Sequence, residues 1–154
     1  MMKYVIAAAS IVFSVAASDG AWAQTLTECG KSDGYAYFFA GGFVPADKGG
    51  WQKDSIDDGR IILNFINGEA DLLVKNATGS TISVKQDGGR IYARKTTNGL
   101  IALTVFYDDT AITEDYVFQL DDRGDGTVTS TVIRTASKLN KMSLMTAECR
   151  GPGR

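Results

Sequence analysis

Three groups of side chains in this sequence have the types and spacing to do chemistry. Tyr35, Tyr37 and Phe39 recur at i, i+2 and i+4, which puts them on one face of a β-strand. Tyr92, Tyr107, Tyr116 and Phe118 are placed to join them if the strands close. Such a surface can line a cavity for an apolar or aromatic ligand. The plainer reading is an aromatic core or an outward stripe, which strands favour in any case. On the ligand reading, the binding residues are Tyr35, Tyr37 and Tyr92.

The second group is acidic. Asp54, Asp57 and Asp58 cluster together, Asp108, Asp109, Glu114 and Asp115 flank a turn, and Asp121, Asp122 and Asp125 fill another. Calcium wants several oxygens at close range. The run from Asp121 to Gly126 breaks the EF-hand pattern, because Arg123 stands at a ligating position and Val132 at the twelfth. No metal ligand is therefore assigned. In a strict meander, alternate turns share an end. The turns near Glu69, Asp87 and Asp108 to Asp115 then lie together with the 136–140 connection. Asp71 belongs to the same end, and Lys138, Lys141, Arg90 and Arg134 offset part of its charge. The expectation is an acidic contact surface for a cationic partner, centred on Asp108, Asp109, Glu114 and Asp115. A solvated rim that serves solubility is the plainer alternative.

The third group is the cysteine pair, Cys29 and Cys149, near the two ends of the chain. They follow a segment that reads as an address. Lys3 supplies a positive charge, Tyr4 to Val15 is apolar apart from Ser10 and Ser14, and Ala21-Trp22-Ala23 is an A-x-A cleavage pattern. Residues 1–23 are expected to be a cleaved secretory signal, with 24–154 as one domain. The apolar stretch is shorter than the 18 to 20 or so residues of a bilayer span. A periplasmic or extracellular location follows, with no membrane association after cleavage. In that oxidising setting an even cysteine count predicts a Cys29–Cys149 disulfide. The bond also leaves no thiol to act as a nucleophile.

Composition removes most other chemistry. Among 154 residues there is no His, and the net charge is −2. Ser-His-Asp triads, Cys-His dyads and most zinc and haem sites are excluded. The charge is small and of the wrong sign for a nucleic-acid binder. The chain has no G-x-S-x-G elbow, S-x-x-K, Walker loop or strand-following G-x-G-x-x-G. A His-free hydrolase would need two carboxyl groups held about 5 to 9.5 Å apart. No catalytic residue and no cofactor are assigned. Asn76-Ala77-Thr78 is a formal glycosylation sequon.

The elements that must position these groups are strands. Runs of β-branched and aromatic residues alternate with short Gly and Asn/Asp clusters. The runs are 35–39, 60–66, 71–75, 81–86, 90–95, 100–107, 115–120, 127–135 and 141–149. Asn67-Gly68 and Asn98-Gly99 are hairpin dipeptides. Helix signal is confined to a possible turn or two in Ala136 to Met145. The fold class is all-β, an antiparallel meander of eight to ten strands closing into a small barrel or a two-sheet sandwich. Nine strict up-and-down strands would leave the cysteines at opposite ends. With the disulfide, either Trp51 to Ile56 is a tenth strand, one run is not a strand, or Cys29 to Asp33 runs back along the barrel. Alternation predicts a core of Ile61, Leu63, Phe65, Leu72, Val74, Ile82, Val84, Leu103, Val105, Tyr116 and Phe118.

Gly49-Gly50-Trp51 resembles the G-x-W found near the first strand of lipocalins. A small exported barrel with a Cys near each end is also similar in architecture to periplasmic inhibitors of lysozyme-type enzymes. These resemblances imply architecture alone, since fold does not fix function. The reading is an exported β-domain that binds a small apolar or aromatic ligand or a protein partner. The alternatives are an inhibitor of a cationic exported hydrolase and a carboxylate hydrolase.

Overall fold

The computed structural model describes residues 23–75, 79–96, 98–135 and 138–153. All of the expected 1–23 leader except Ala23, and the Asn76-Ala77-Thr78 sequon, lie outside the described residues. The chain forms ten strands and, among the described residues, no helix. They are β1 (Ala23–Phe38), β2 (Gly50–Ile56), β3 (Arg60–Ile66), β4 (Glu69–Lys75), β5 (Thr81–Ser83), β6 (Arg90–Lys95), β7 (Leu100–Tyr107), β8 (Ile112–Leu120), β9 (Gly126–Arg134) and β10 (Lys141–Arg150). All pairings are antiparallel, in the order β5-β4-β3-β1-β10-β9-β8-β7-β6, with β2 also on β1. The result is a single sheet curled into a half-barrel, not a two-sheet sandwich. The Lys141 to Met145 part of the expected helical turn is strand β10.

The strand β1 organises the molecule. One edge pairs with β10 along most of its length. The other edge pairs with β3 through Cys29 and with β2 from Ser32 onward. The two segments β2 and β3 therefore act as one long strand broken at Asp57-Asp58-Gly59. The break faces an irregularity in β1 at Gly30-Lys31, where its register to β10 also shifts. Trp51 to Ile56 is thus a strand, and Cys29 to Asp33 does run along the sheet. Cys29 comes to lie directly opposite Cys149, and the two form a buried disulfide.

The core fills the concave side of the lower half, meaning the half that holds the start of β1. Leu63, Leu72, Leu103, Val105, Phe118 and Val128 are its most enclosed large side chains. Nearly all of the core expected from alternation is found there, with Phe65 and Val74 packed at its margin. Ile82 is the exception, at 37% exposure. The strand β5 stops at Ser83, because Ser83 Oγ turns to Asp71 Oδ2 at 2.8 Å. Asp71 also accepts from the Leu72 and Lys85 amides. This buried carboxylate holds the β5–β6 connection against β4, so Ser83 and Val84 become the covered pair and Ile82 turns outward.

The same connection breaks the alternation of turns. Tracing antiparallel steps along the sheet gives β5 and β6 the same sense. Residues 84–89 start beside Asp71 and end at Arg90, which lies opposite Phe106. The hairpin turn before Glu69 lies beside the start of β1, since Ile66 pairs with Ala23. The turn after Tyr107 lies at the other end, with the β9–β10 connection. Glu69 and Asp71 therefore do not share an end with Asp108 and Asp109, contrary to the strict-meander expectation.

Turn chemistry accounts for both Asn-Gly signals, in different ways. Asn67 and Gly68 both have positive φ, as a two-residue type I′ turn requires. At Asn98-Gly99 only the glycine does; the connection spans four residues and is tied by a Gly99 amide bond to the Thr96 carbonyl.

Candidate functional site

The predicted aromatic strand face points outward. In β1, Ala36 is fully buried while Tyr35 is 59% exposed. Period-two alternation carries Tyr37 and Phe39 to the same outer side. Tyr37 pairs across strands with Trp51 of β2 and Met142 of β10, and Tyr35 with Lys53 and Leu144. The Tyr37 ring sits edge-on to Phe39 at 5.0 Å and to Trp51 at 5.5 Å. Trp51 is 58% exposed, and Leu144 is also exposed. The outcome is a contiguous apolar surface across three adjacent strands. Basic groups edge it. Lys53 lies beside Tyr35, and Lys138 Nζ stands 5.7 Å over the ring of the exposed Phe43.

Tyr92 does not join this group. It lies on β6, at the far side of the sheet, packed edge-on to Phe106 at 5.8 Å. Tyr116 and Phe118 point inward and are buried. The three tyrosines expected to bind a ligand therefore line no common cavity.

Inside the upper half of the sheet, polar side chains stand among apolar ones such as Ile56, Val132 and Met145. A cavity of about 150 Å³ is lined by inward side chains of β1, β8, β9 and β10 and by residues around the β2–β3 break. Glu114 lies in its wall and accepts a hydrogen bond from the Tyr116 hydroxyl at 2.7 Å. Burial pushes the Glu114 carboxyl above the usual carboxylate range, against the Tyr116 hydrogen bond and Arg134, which both favour its ionised form. Burial also raises the Tyr116 phenol strongly, reinforced by the Glu114 charge beside it. Ser130 and Ser143 are buried in the same wall. Lys141 Nζ, at the rim, pairs with Asp54 at 3.0 Å.

The four acids expected to form one contact surface are divided by the strand they frame. Asp108 pairs with Arg90. Asp109 is exposed in the turn. Asp115 faces outward and accepts from Thr104 at 2.6 Å. Glu114 faces inward, as its neighbours Tyr116 and Phe118 do. Strand β8 begins at Ile112, three residues before the run read from the sequence. Extending the Tyr116 and Phe118 alternation back by two residues would have found Glu114. The inward Arg134 and Ser143 follow from the same rule on β9 and β10. Among the described residues, Glu114 is the single carboxylate lining this cavity, so it offers no carboxylate pair. The acidic turn at Asp121 is closed by its own chain: Asp121 Oδ1 accepts from the Arg123 and Asp125 amides.

No protein-family model, curated protein or solved structure matches this chain.

Proposed function

We propose that this chain is an exported binding module that engages a protein partner through the outer face of β1, β2 and β10. The observation that carries the reading is the side-by-side exposure of Tyr35 and Trp51, with Tyr37, Met142 and Leu144 between and beside them. Tyr, Trp and Met are the types enriched where protein interfaces bury their centres. A sheet holds them in place before contact, so little ordering entropy opposes binding. The face is on the convex side of the curled sheet, whereas small apolar ligands need concavity. Lys53 and Lys138 at its edge favour a partner whose apolar patch has an acidic margin. The disulfide is compatible with the oxidising compartment in which such a partner would be met.

The test is a photo-crosslinking amino acid placed at Tyr35 and, as a control, at Thr81 on the far edge, in cells that export the protein. The reading expects one adduct of defined mass with a second polypeptide from position 35 and none from position 81. An adduct with a second copy of this chain alone, equal labelling from both positions, or no adduct from position 35 would overturn it.

A further inference from the structure

The outer face leaves the interior cavity without a role, and buried hydroxyls stand in its walls among apolar side chains. Below it the concave side is packed with Leu, Val and Phe. Here Ser130 and Ser143, each more than nine-tenths buried, take the inward positions of β9 and β10. Ser130 lies directly across from Tyr116. The Tyr116 proton is committed to Glu114, so the phenol oxygen and the remaining carboxyl oxygen present acceptor positions. Met145, Ile61 and Val74 close the lower side.

The charges are arranged unevenly. Two of the three cations lining the cavity are already neutralised: Lys141 by Asp54 at 3.0 Å and Arg60 by Glu28 at 2.8 Å. Among the described residues no carboxylate forms an ion pair with the third, Arg134, although it lies near enough to Glu114 to influence it. Arg134 thus offers an open guanidinium fork at one side, and Glu114 with Tyr116 offers acceptors at another. A guanidinium prefers a carboxylate, which it can hold through two parallel bonds. The volume, about 150 Å³, is that of about five waters. Drug-sized ligands need roughly 300 Å³ or more.

We infer that this cavity is a binding site for a small carboxylic acid that also carries a hydrogen-bond donor, a hydroxy acid or an amino acid. The carboxylate sits on Arg134, and the hydroxyl or ammonium donates to Glu114 and Tyr116. The serine hydroxyls complete the hydrogen bonds of whichever group lies beside them. The site and the outer aromatic face lie on opposite sides of the same strands, and neither depends on the other.

The test uses four probes with the full exported protein: lactate, serine, acetate and glycerol. Acetate lacks the donor and glycerol lacks the carboxylate. Binding is read by calorimetry and by amide shifts at Ser130, Ser143 and Glu114. Lactate or serine should bind saturably, at least tenfold more tightly than acetate or glycerol, with shifts at those three amides. Arg134→Gln, at an exposed strand end and with its fold checked by circular dichroism, should remove that preference. Tyr116→Phe should weaken binding and leave Arg134's selection of the carboxylate in place. No saturable binding of lactate or serine, binding equal to that of the controls, or a preference unchanged in Arg134→Gln would overturn the assignment.

Discussion

Removing the Cys29–Cys149 bond should cost this domain a large part of its stability. The bond joins residues 120 apart in sequence. In the unfolded chain that closure restricts nearly every residue of the domain. The chain-entropy relation gives about 5 kcal/mol for a loop of this length. A domain of this size has a total stability of about 5 to 15 kcal/mol. Both sulfurs are buried between β1 and β10 at a position where those strands already face each other. Urea unfolding of the Cys29→Ala, Cys149→Ala double variant should show a loss of about 4 to 5 kcal/mol. The denaturant slope should be steeper, because the uncrosslinked chain exposes more surface. The thermal midpoint should fall by about 15 to 20 °C. A loss under about 1 kcal/mol with an unchanged slope would refute the reasoning. So would two alkylatable thiols in the native protein.

Three further outcomes are expected. Glu114 has a folded-state pKa raised by burial, so its protonated form is favoured by folding. Its contribution is complete below the ordinary glutamate value of about 4.3 and is lost as pH rises through the raised value. Glu114→Gln should therefore gain on the wild type as pH increases from 4 to 8 in urea unfolding; a constant difference between the two would contradict the burial. Phe118→Ala should cost about 3 to 5 kcal/mol, while Ile82→Ala should cost under about 1 kcal/mol, by the same assay. Asp71→Ala strips the partner from the Leu72 amide and the Ser83 hydroxyl, and should cost about 2 to 4 kcal/mol with faster amide exchange in residues 83–89.

Much of the fold can be read from the residues because a half-buried strand must alternate. Leu63, Leu72, Val105 and Phe118 fall at alternating positions of their strands, and all four are buried. The position of Cys29 is less legible. Cys29-Gly30-Lys31-Ser32-Asp33 has no strand composition, and it is extended because β10 on one edge and β3 and β2 on the other supply partners. Ile82 misleads because a single buried carboxylate on β4 outweighs local alternation in β5. That interaction links Asp71 to Ser83, and no local pattern encodes it. The candidate site divides similarly. Tyr35 and Tyr37 are rightly placed on one face, but period two cannot say which face is concave. The curl of the whole sheet settles it, through pairings between strands far apart in sequence. Arg134 and Glu114 become neighbours through the β8–β9 register, a long-range fact with no local signature.

The proposed recognition surface is the outer face around Tyr35 and Trp51. The sequence has two tryptophans, Trp22 and Trp51. In a form that begins at Gln24, Trp51 is the sole tryptophan and reports on that face directly. Its emission should be followed while a tryptophan-free form of the crosslinked partner is titrated in, for the wild type and for Tyr35→Ala and Leu144→Ala. The account predicts a saturable blue shift, as the indole leaves water, and an affinity lowered by about 2 kcal/mol, roughly thirtyfold, in at least one variant. Binding that leaves Trp51 emission unchanged, with both variants within twofold of wild type, would contradict it.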